Sequence, residues 1–170
     1  LAGRTLLPGF IDSHIHPVFG IELTRGADLS GCRTLEDVEA RLRAEAAGLE
    51  DDDWLLGWGL DPNVFGDEPI DSAVLDRAAG ERPAFLRLFD AHAALASSRA
   101  LALAGVTGAE VFTDASRVVI DAGGDPTGYL LELQAINLVD SLVPPLDAAQ
   151  RIEALYGVLR HMAEAGFTSG

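Results

Sequence analysis

Leu6-Leu7-Pro8-Gly9-Phe10-Ile11-Asp12-Ser13-His14-Ile15-His16-Pro17 is the stretch on which the fold turns. Its apolar run, punctuated by Pro8-Gly9, reads as a short buried strand whose C-terminal end carries polar side chains. Side chains two apart on an extended strand face the same side. His14 and His16 therefore present two imidazoles that can reach one metal ion. Asp12 shares that parity and can orient a ligand histidine from behind. The plain alternative is a pair of surface histidines near a turn.

Outward from this strand, helices and strands alternate. Thr34 and Asp37 make a capping box for a helix with Leu35, Val38, Leu42, Ala46 and Leu49 on one face. Trp54 to Leu60 reads as a buried strand containing glycines. Asp71 caps a short helix through Leu75 and Ala79. Pro83 opens a strand from Ala84 to Phe89 that ends at Asp90-Ala91-His92. Ala93 to Ala104 is Ala- and Leu-rich and reads as helix, stopped by Gly105. Val118 to Ile120 and Tyr129 to Leu131 flank a turn-rich stretch, the pattern of a hairpin. Leu133 to Val143 is helical and ends at Pro144-Pro145. Ile152, Leu155, Tyr156, Leu159 and Met162 mark a last amphipathic helix, after which Phe167-Thr168 starts one more strand. The alternation predicts an α/β fold with mostly parallel strands.

Composition narrows the classes of function. The chain has 170 residues, 48% of them apolar, enough to build a core. Twenty-seven acidic residues against 12 basic ones, all arginine, give a formal charge of −15, which disfavours nucleic acid and anionic membranes. The lone Cys32 excludes an internal disulfide framework and reads as a small packed residue. No apolar run approaches a membrane span and no signal peptide is visible, so the expectation is a cytoplasmic protein. Its expected partner is a small-molecule substrate, with homo-oligomerisation left open.

The motifs then resemble a known family. Leu7 to Pro17 resembles the first barrel strand of the amidohydrolase superfamily. Trp54 to Asp61, Arg82 to Arg87, Asp90 to Ala94 with Leu101 to Val106, Pro126 to Glu132, and Gly166 to Ser169 resemble the family 3 branch, in that family's order. Ala91 stands where the branch often has glycine, Ser97 where it often has asparagine, and Leu60 where an aromatic is frequent. The resemblance implies a TIM-type (β/α)₈ barrel of the metal-dependent hydrolase kind, incomplete in this chain because a whole barrel takes about 250 residues. Residues 1–170 would be the N-terminal part of that catalytic barrel, with a long α/β insertion, about 20–165, after the first strand. Leu1 to Leu7 resembles the exit from the family's small β-rich domain. The strands near Leu7, Trp54 and Ala84 are expected to be parallel members or neighbours of the barrel sheet.

The implied activity is hydrolysis of C–N bonds, of amide or N-substituted formamide type, by metal-activated water. The metal ligands would be His14 and His16, with Glu132 as a further carboxylate, and the metal zinc. The general-base aspartate would lie beyond Gly170, leaving this stretch inactive alone. Glu132 reads equally well as a helix-start glutamate favoured by the helix dipole. His92, Asp90, Trp58 and Asp61 are the substrate-binding candidates, with Asp90 able to fix the His92 tautomer. Against this stand a capping Asp90 with a bystander His92, and a core Trp58. His161, near a helix C-terminus, is taken as structural. A non-catalytic barrel module, or a metal-dependent isomerase or deaminase on the same fold, remains open.

Overall fold

A computed structural model describes residues 3 and 5–170. The chain divides into two compact units, Leu1–Glu22 with Pro145–Gly170, and Leu23–Pro144. The expected β-domain exit over Leu1 to Leu7 lies partly outside the described residues, and Thr5, Leu6 and Leu7 belong to no strand.

The larger unit is built on a six-stranded sheet. Its strands are β2 (Ala27–Asp28), β3 (Leu55–Leu60), β4 (Ala84–Leu88), β5 (Ala93–Ala96), β6 (Arg117–Ile120) and β7 (Pro126–Leu131), in the order β2-β3-β4-β5-β7-β6. Side chains alternate across the sheet. Leu86 and Leu88 of β4 and Leu95 of β5 pack with α2 (Leu35–Ala46) and α3 (Ala73–Ala79) through Val38, Leu42, Val74 and Leu75. Phe85, Ala94 and Ala96 face the opposite way, against Ala100 and Leu101 of α4 (Ser98–Ala104) and Ile136 and Val139 of α5 (Glu132–Asp140). A sheet buried on both faces explains the near-continuous apolar runs of β4 and β5.

Local signals place α2 as the sequence predicts. Thr34 Oγ1 accepts from Asp37 N–H, and Asp37 Oδ2 accepts from Thr34 N–H, closing the capping box. Gly105 ends α4 in the left-handed region. The expected hairpin forms between β6 and β7. Gly128 of β7 has φ +93°, and a Cβ there would lie 2.4 Å from the Ala96 carbonyl oxygen, so only glycine fits.

Two expectations are corrected here. Ala93–Ala96 is a strand, not the start of a helix, and its four residues are buried between β4 and β7. Burial on both faces overrides alanine's helix preference. The helix waits for Ser97, whose hydroxyl accepts from Ala84 N–H and Ala100 N–H. The sheet is also mixed: β2, β3 and β4 are parallel, whereas β4–β5, β5–β7 and β6–β7 are antiparallel. A tight turn through Phe89–His92 suffices for an antiparallel neighbour, so no crossover helix is needed.

The smaller unit holds β1 (Phe10–Ile11), α1 (Pro17–Leu23, which runs across the boundary), α6 (Ala148–Glu164) and β8 (Phe167–Ser169). Among the described residues β1 pairs in parallel with β8 alone, so it is not a member of the sheet that contains β3 and β4. Gly9 permits this pairing, because a Cβ there would meet Thr168 at 2.2 Å. The expected burial of β1 is not found: Leu6, Leu7, Phe10 and Ile11 are exposed. α6 is capped by Asp147 and Gln150 in a second capping box, yet none of its residues is buried. Among the described residues no helix is long and apolar enough to cross a membrane.

Candidate functional site

The two histidines lie just beyond β1, in a bend before α1 rather than on the strand itself. Asp12 Oδ1 accepts the backbone N–H of His14 at 3.0 Å, so Asp12 orients His14 through the main chain and not through its ring. Pro17 begins α1 immediately after His16, a position that suits proline's fixed φ and missing N–H. Between these two restraints the rings turn toward each other. Their Nε2 atoms are 2.8 Å apart and the ring planes cross at 78°. Both rings are exposed.

The pair supplies two of the donors that a divalent metal takes. Two imidazole nitrogens on one tetrahedral zinc stand roughly 3.3 Å apart, taking bonds of about 2.05 Å. A small opening of the pair reaches that spacing, and neutral imidazoles are ready donors.

The second set of candidates lies along one edge of the six-stranded sheet. β2, β3, β4 and β7 run in the same direction, so their C-terminal ends share that edge. Trp58 and Asp61 come from the end of β3, Asp90 and His92 from the turn after β4, and Glu132 from the end of β7. Asp28, at the end of β2, has its pKa lowered by hydrogen bonds from the Ser30 hydroxyl and then the Ser30 N–H. Trp58 is half-buried. Asp61 Oδ1 accepts from Asn63 N–H and Nδ2, capping the short 3₁₀ turn Pro62–Phe65. Burial raises the Tyr129 pKa, and the Asp90 charge adds to it.

The expected Asp90–His92 ring contact is not what holds the imidazole. Asp90 Oδ1 accepts the His92 backbone N–H at 3.0 Å, whereas the ring Nδ1 meets Glu132 Oε2 at 3.2 Å. Asp90 is only two residues away and its carboxylate closes a local turn instead. Glu132 N–H also donates to the His92 carbonyl at 2.8 Å, so the two residues are latched twice.

Glu132 opens α5, but its backbone is not helical: φ is +63°. Ala91 has φ +59°, and these are the only non-glycine residues at positive φ among the described residues. Both flank His92 in space. The glycine expected at position 91 by resemblance suits this conformation, and alanine holds it at some cost. The far end of α5 is tied to β4 through Arg87 and Asp140, 2.6 Å apart. Gln134 N–H donates to Ser116 Oγ, filling one of the open positions of the first helical turn.

The sequence points to His14, His16, Trp58, Asp61, Asp90, His92 and Glu132, but not to Asp28, the Glu132–His92 contact or the positive φ of Ala91 and Glu132. The partners are 40 residues apart, joined only through the β4–β5–β7 order. Among the described residues no group of three or more His, Cys, Asp and Glu side chains converges to hold a metal. The candidates stand as two pairs, His14 with His16 and His92 with Glu132. His161 lies in the last turn of α6. Cys32 is buried, with its thiol pKa raised by desolvation and then by Asp37.

The α/β order of elements and the short strand followed by paired imidazoles define the class of fold and candidate site, and the comparisons give the family. A model of the amidohydrolase family matches residues 1–170, and the chain belongs to that family. It is 32% identical to YtcJ of Bacillus subtilis over 100% of its own length and 32% of that protein. It is 29% identical to the N-substituted formamide deformylase of Arthrobacter pascens over 83% of its length and 26% of that enzyme. The chain thus spans about a third or less of these relatives. An uncharacterized metal-dependent hydrolase from Pyrococcus horikoshii shares the fold with a TM-score of 0.60 at 21% identity, covering 95% of this chain and 30% of that one.

Proposed function

We propose that the intact protein is a metal-dependent hydrolase of C–N bonds in amide or N-substituted formamide substrates. The observation that carries this reading is the convergence of the His14 and His16 Nε2 atoms to 2.8 Å beyond β1. His14 and His16 would hold the divalent ion through their imidazole nitrogens, donors that suit zinc. Glu132 is a separate candidate for a carboxylate donor, since hard oxygen ligands suit a divalent centre. A metal bound by these groups supplies Lewis-acid polarisation of the scissile carbonyl and activation of water. Asp12 keeps His14 in place through its N–H. His92 offers Nε2 to the substrate, with Nδ1 occupied by Glu132. Trp58 supplies apolar contact, while Asp61 and Asp90 meet polar substrate groups from the turns they brace. The barrel of the whole enzyme and its general base belong to the same proposal.

The test is metal content together with turnover on a panel of amides and N-substituted formamides. His14→Ala and His16→Ala should each lose bound metal and lower turnover by more than the roughly 100-fold that an outer-shell substitution costs. Unchanged metal and turnover in both variants would return the two histidines to the surface-residue reading.

A further inference from the structure

A groove of about 530 Å³, within the size range of small-molecule sites, lies beside His16 and is built wholly within the smaller unit. His16 is part of its lining, so the groove is continuous with the paired imidazoles. Most of the wall comes from α1. Val18 and Phe19 stand four and three residues before Glu22, so the three side chains share one helix face. Ile21 is the residue that α1 buries, which leaves Val18 and Phe19 open at 59% and 62% exposure. Ile15, just before the helix, adds a half-buried aliphatic side chain. The remaining wall is Arg151, near the start of α6. Its Nη2 meets Glu22 Oε1 at 3.1 Å, so the cation and the carboxylate of the lining are spent on each other.

We propose that this groove is the subsite for a neutral, apolar N-substituent of the substrate, a benzyl group or its like, seated on Val18 and Phe19. This rests on the reading of His14 and His16 as metal ligands. Continuity with His16 lets one molecule place its C–N bond at the histidine pair and its substituent in the groove. Apolar walls open to water gain by being covered. The Phe19 ring favours a flat occupant, since aromatic pairs add to the gain from burial alone. A carboxylate in the same place would have to compete with Glu22 for Arg151 and sit beside a like charge.

The experiment measures binding to the intact, metal-loaded protein by calorimetry. The probes are methanesulfonamides, which carry no carbonyl to hydrolyse, with N-benzyl, N-methyl and N-(4-carboxybenzyl) groups. The proteins are wild type, Phe19→Ala, Phe19→Leu, Arg151→Gln and His16→Ala. The N-benzyl probe should bind wild type at least about tenfold more tightly than the N-methyl probe, since one buried methylene already gives about that much. The carboxylated probe should bind more weakly than the N-benzyl one. Phe19→Ala should cut the benzyl preference by about three- to tenfold, with Phe19→Leu between. Its metal content and N-methyl binding should not change. With N-benzylformamide as substrate, Phe19→Ala should raise KM and leave kcat alone, the mark of a wall that binds ground and transition states alike. Equal binding of the N-benzyl and N-methyl probes to wild type would overturn the proposal. Tighter binding of the carboxylated probe, lost in Arg151→Gln, would make the groove an anion site and overturn it too. If His16→Ala keeps its metal, the ligand reading fails and the subsite falls with it. If His16→Ala loses its metal but Phe19→Ala keeps the full benzyl preference, the subsite alone is wrong. Where Phe19→Ala does not fold, Phe19→Leu and the probe series on wild type decide the question.

Discussion

α2 and α6 follow the same sequence grammar and end differently. Each opens with a complete capping box and carries an apolar stripe. α2 buries Val38 and Leu42 completely, against a sheet and α3. α6 buries nothing, and Ile152, Tyr156 and Leu159 stay exposed. The same contrast separates β4, apolar and covered on both faces, from β1, apolar and open. Periodicity specifies that a face exists, and the cap specifies where the helix starts. Neither specifies what lies on top, because that depends on elements distant in sequence.

The largest expected effect tests this contrast directly. Leu86 is fully buried in the sheet core, so Leu86→Ala should destabilise by about 2–5 kcal/mol through lost transfer energy and the cavity left behind. Leu159→Ala, on the exposed stripe of α6, should change stability by less than about 0.5 kcal/mol. Urea unfolding of both variants measures this. Equal losses would mean that the α6 face is covered in solution. Hydrogen exchange should follow the same line, with β4 and β5 amides protected longest and α6 amides exchanging sooner.

How much was legible divides along the same boundary. The capped helices, the buried strands from Leu55 and Ala84, the β6–β7 hairpin and the left-handed Gly105 all carried local signals. Ala93–Ala96 did not, because alanine's helix preference is a local quantity and its burial between two strands is not. Ser97 was the available clue, a capping residue that places the helix start at Ser98. In the site, His14 and His16 announced themselves by spacing, although their meeting depends on a bend and not on strand parity. Glu132 and His92 were each visible as residues, while their contact was hidden in the strand order. The strain at Glu132 left no trace in composition, and alanine at position 91, where glycine is frequent, was the one unread clue to the strained turn.

A smaller effect tests that turn. Ala91→Gly removes the left-handed penalty of about 1–2 kcal/mol. Glycine's greater freedom in the unfolded chain offsets about 0.4–1 kcal/mol of this. The variant should therefore melt slightly higher than wild type. Ala94→Gly, three residues on in the buried strand β5, should melt lower by the same assay. A drop for Ala91→Gly as large as that for Ala94→Gly would show that the φ of +59° is not the state populated in solution.

The smallest effect concerns pH and the end of β2. The Asp28 carboxylate accepts the Ser30 hydroxyl at 2.7 Å and the Ser30 N–H at 2.9 Å, and these bonds lower its pKa. A carboxyl whose pKa is lower folded than unfolded binds fewer protons when folded, so its contribution favours folding above the unfolded value of about 3.9. That contribution is lost as pH falls from there through the folded pKa. Ser30→Ala removes the larger of the two bonds while keeping the backbone donor. It should lower the melting temperature slightly near neutral pH, and the carboxylate's part of the gap should close below about pH 4. Melting curves of wild type and Ser30→Ala from neutral to acid pH check the sign. A gap that widens on acidification would mean that Asp28 is better held protonated than ionised, and that its hydrogen bonds in the folded chain are not those to Ser30.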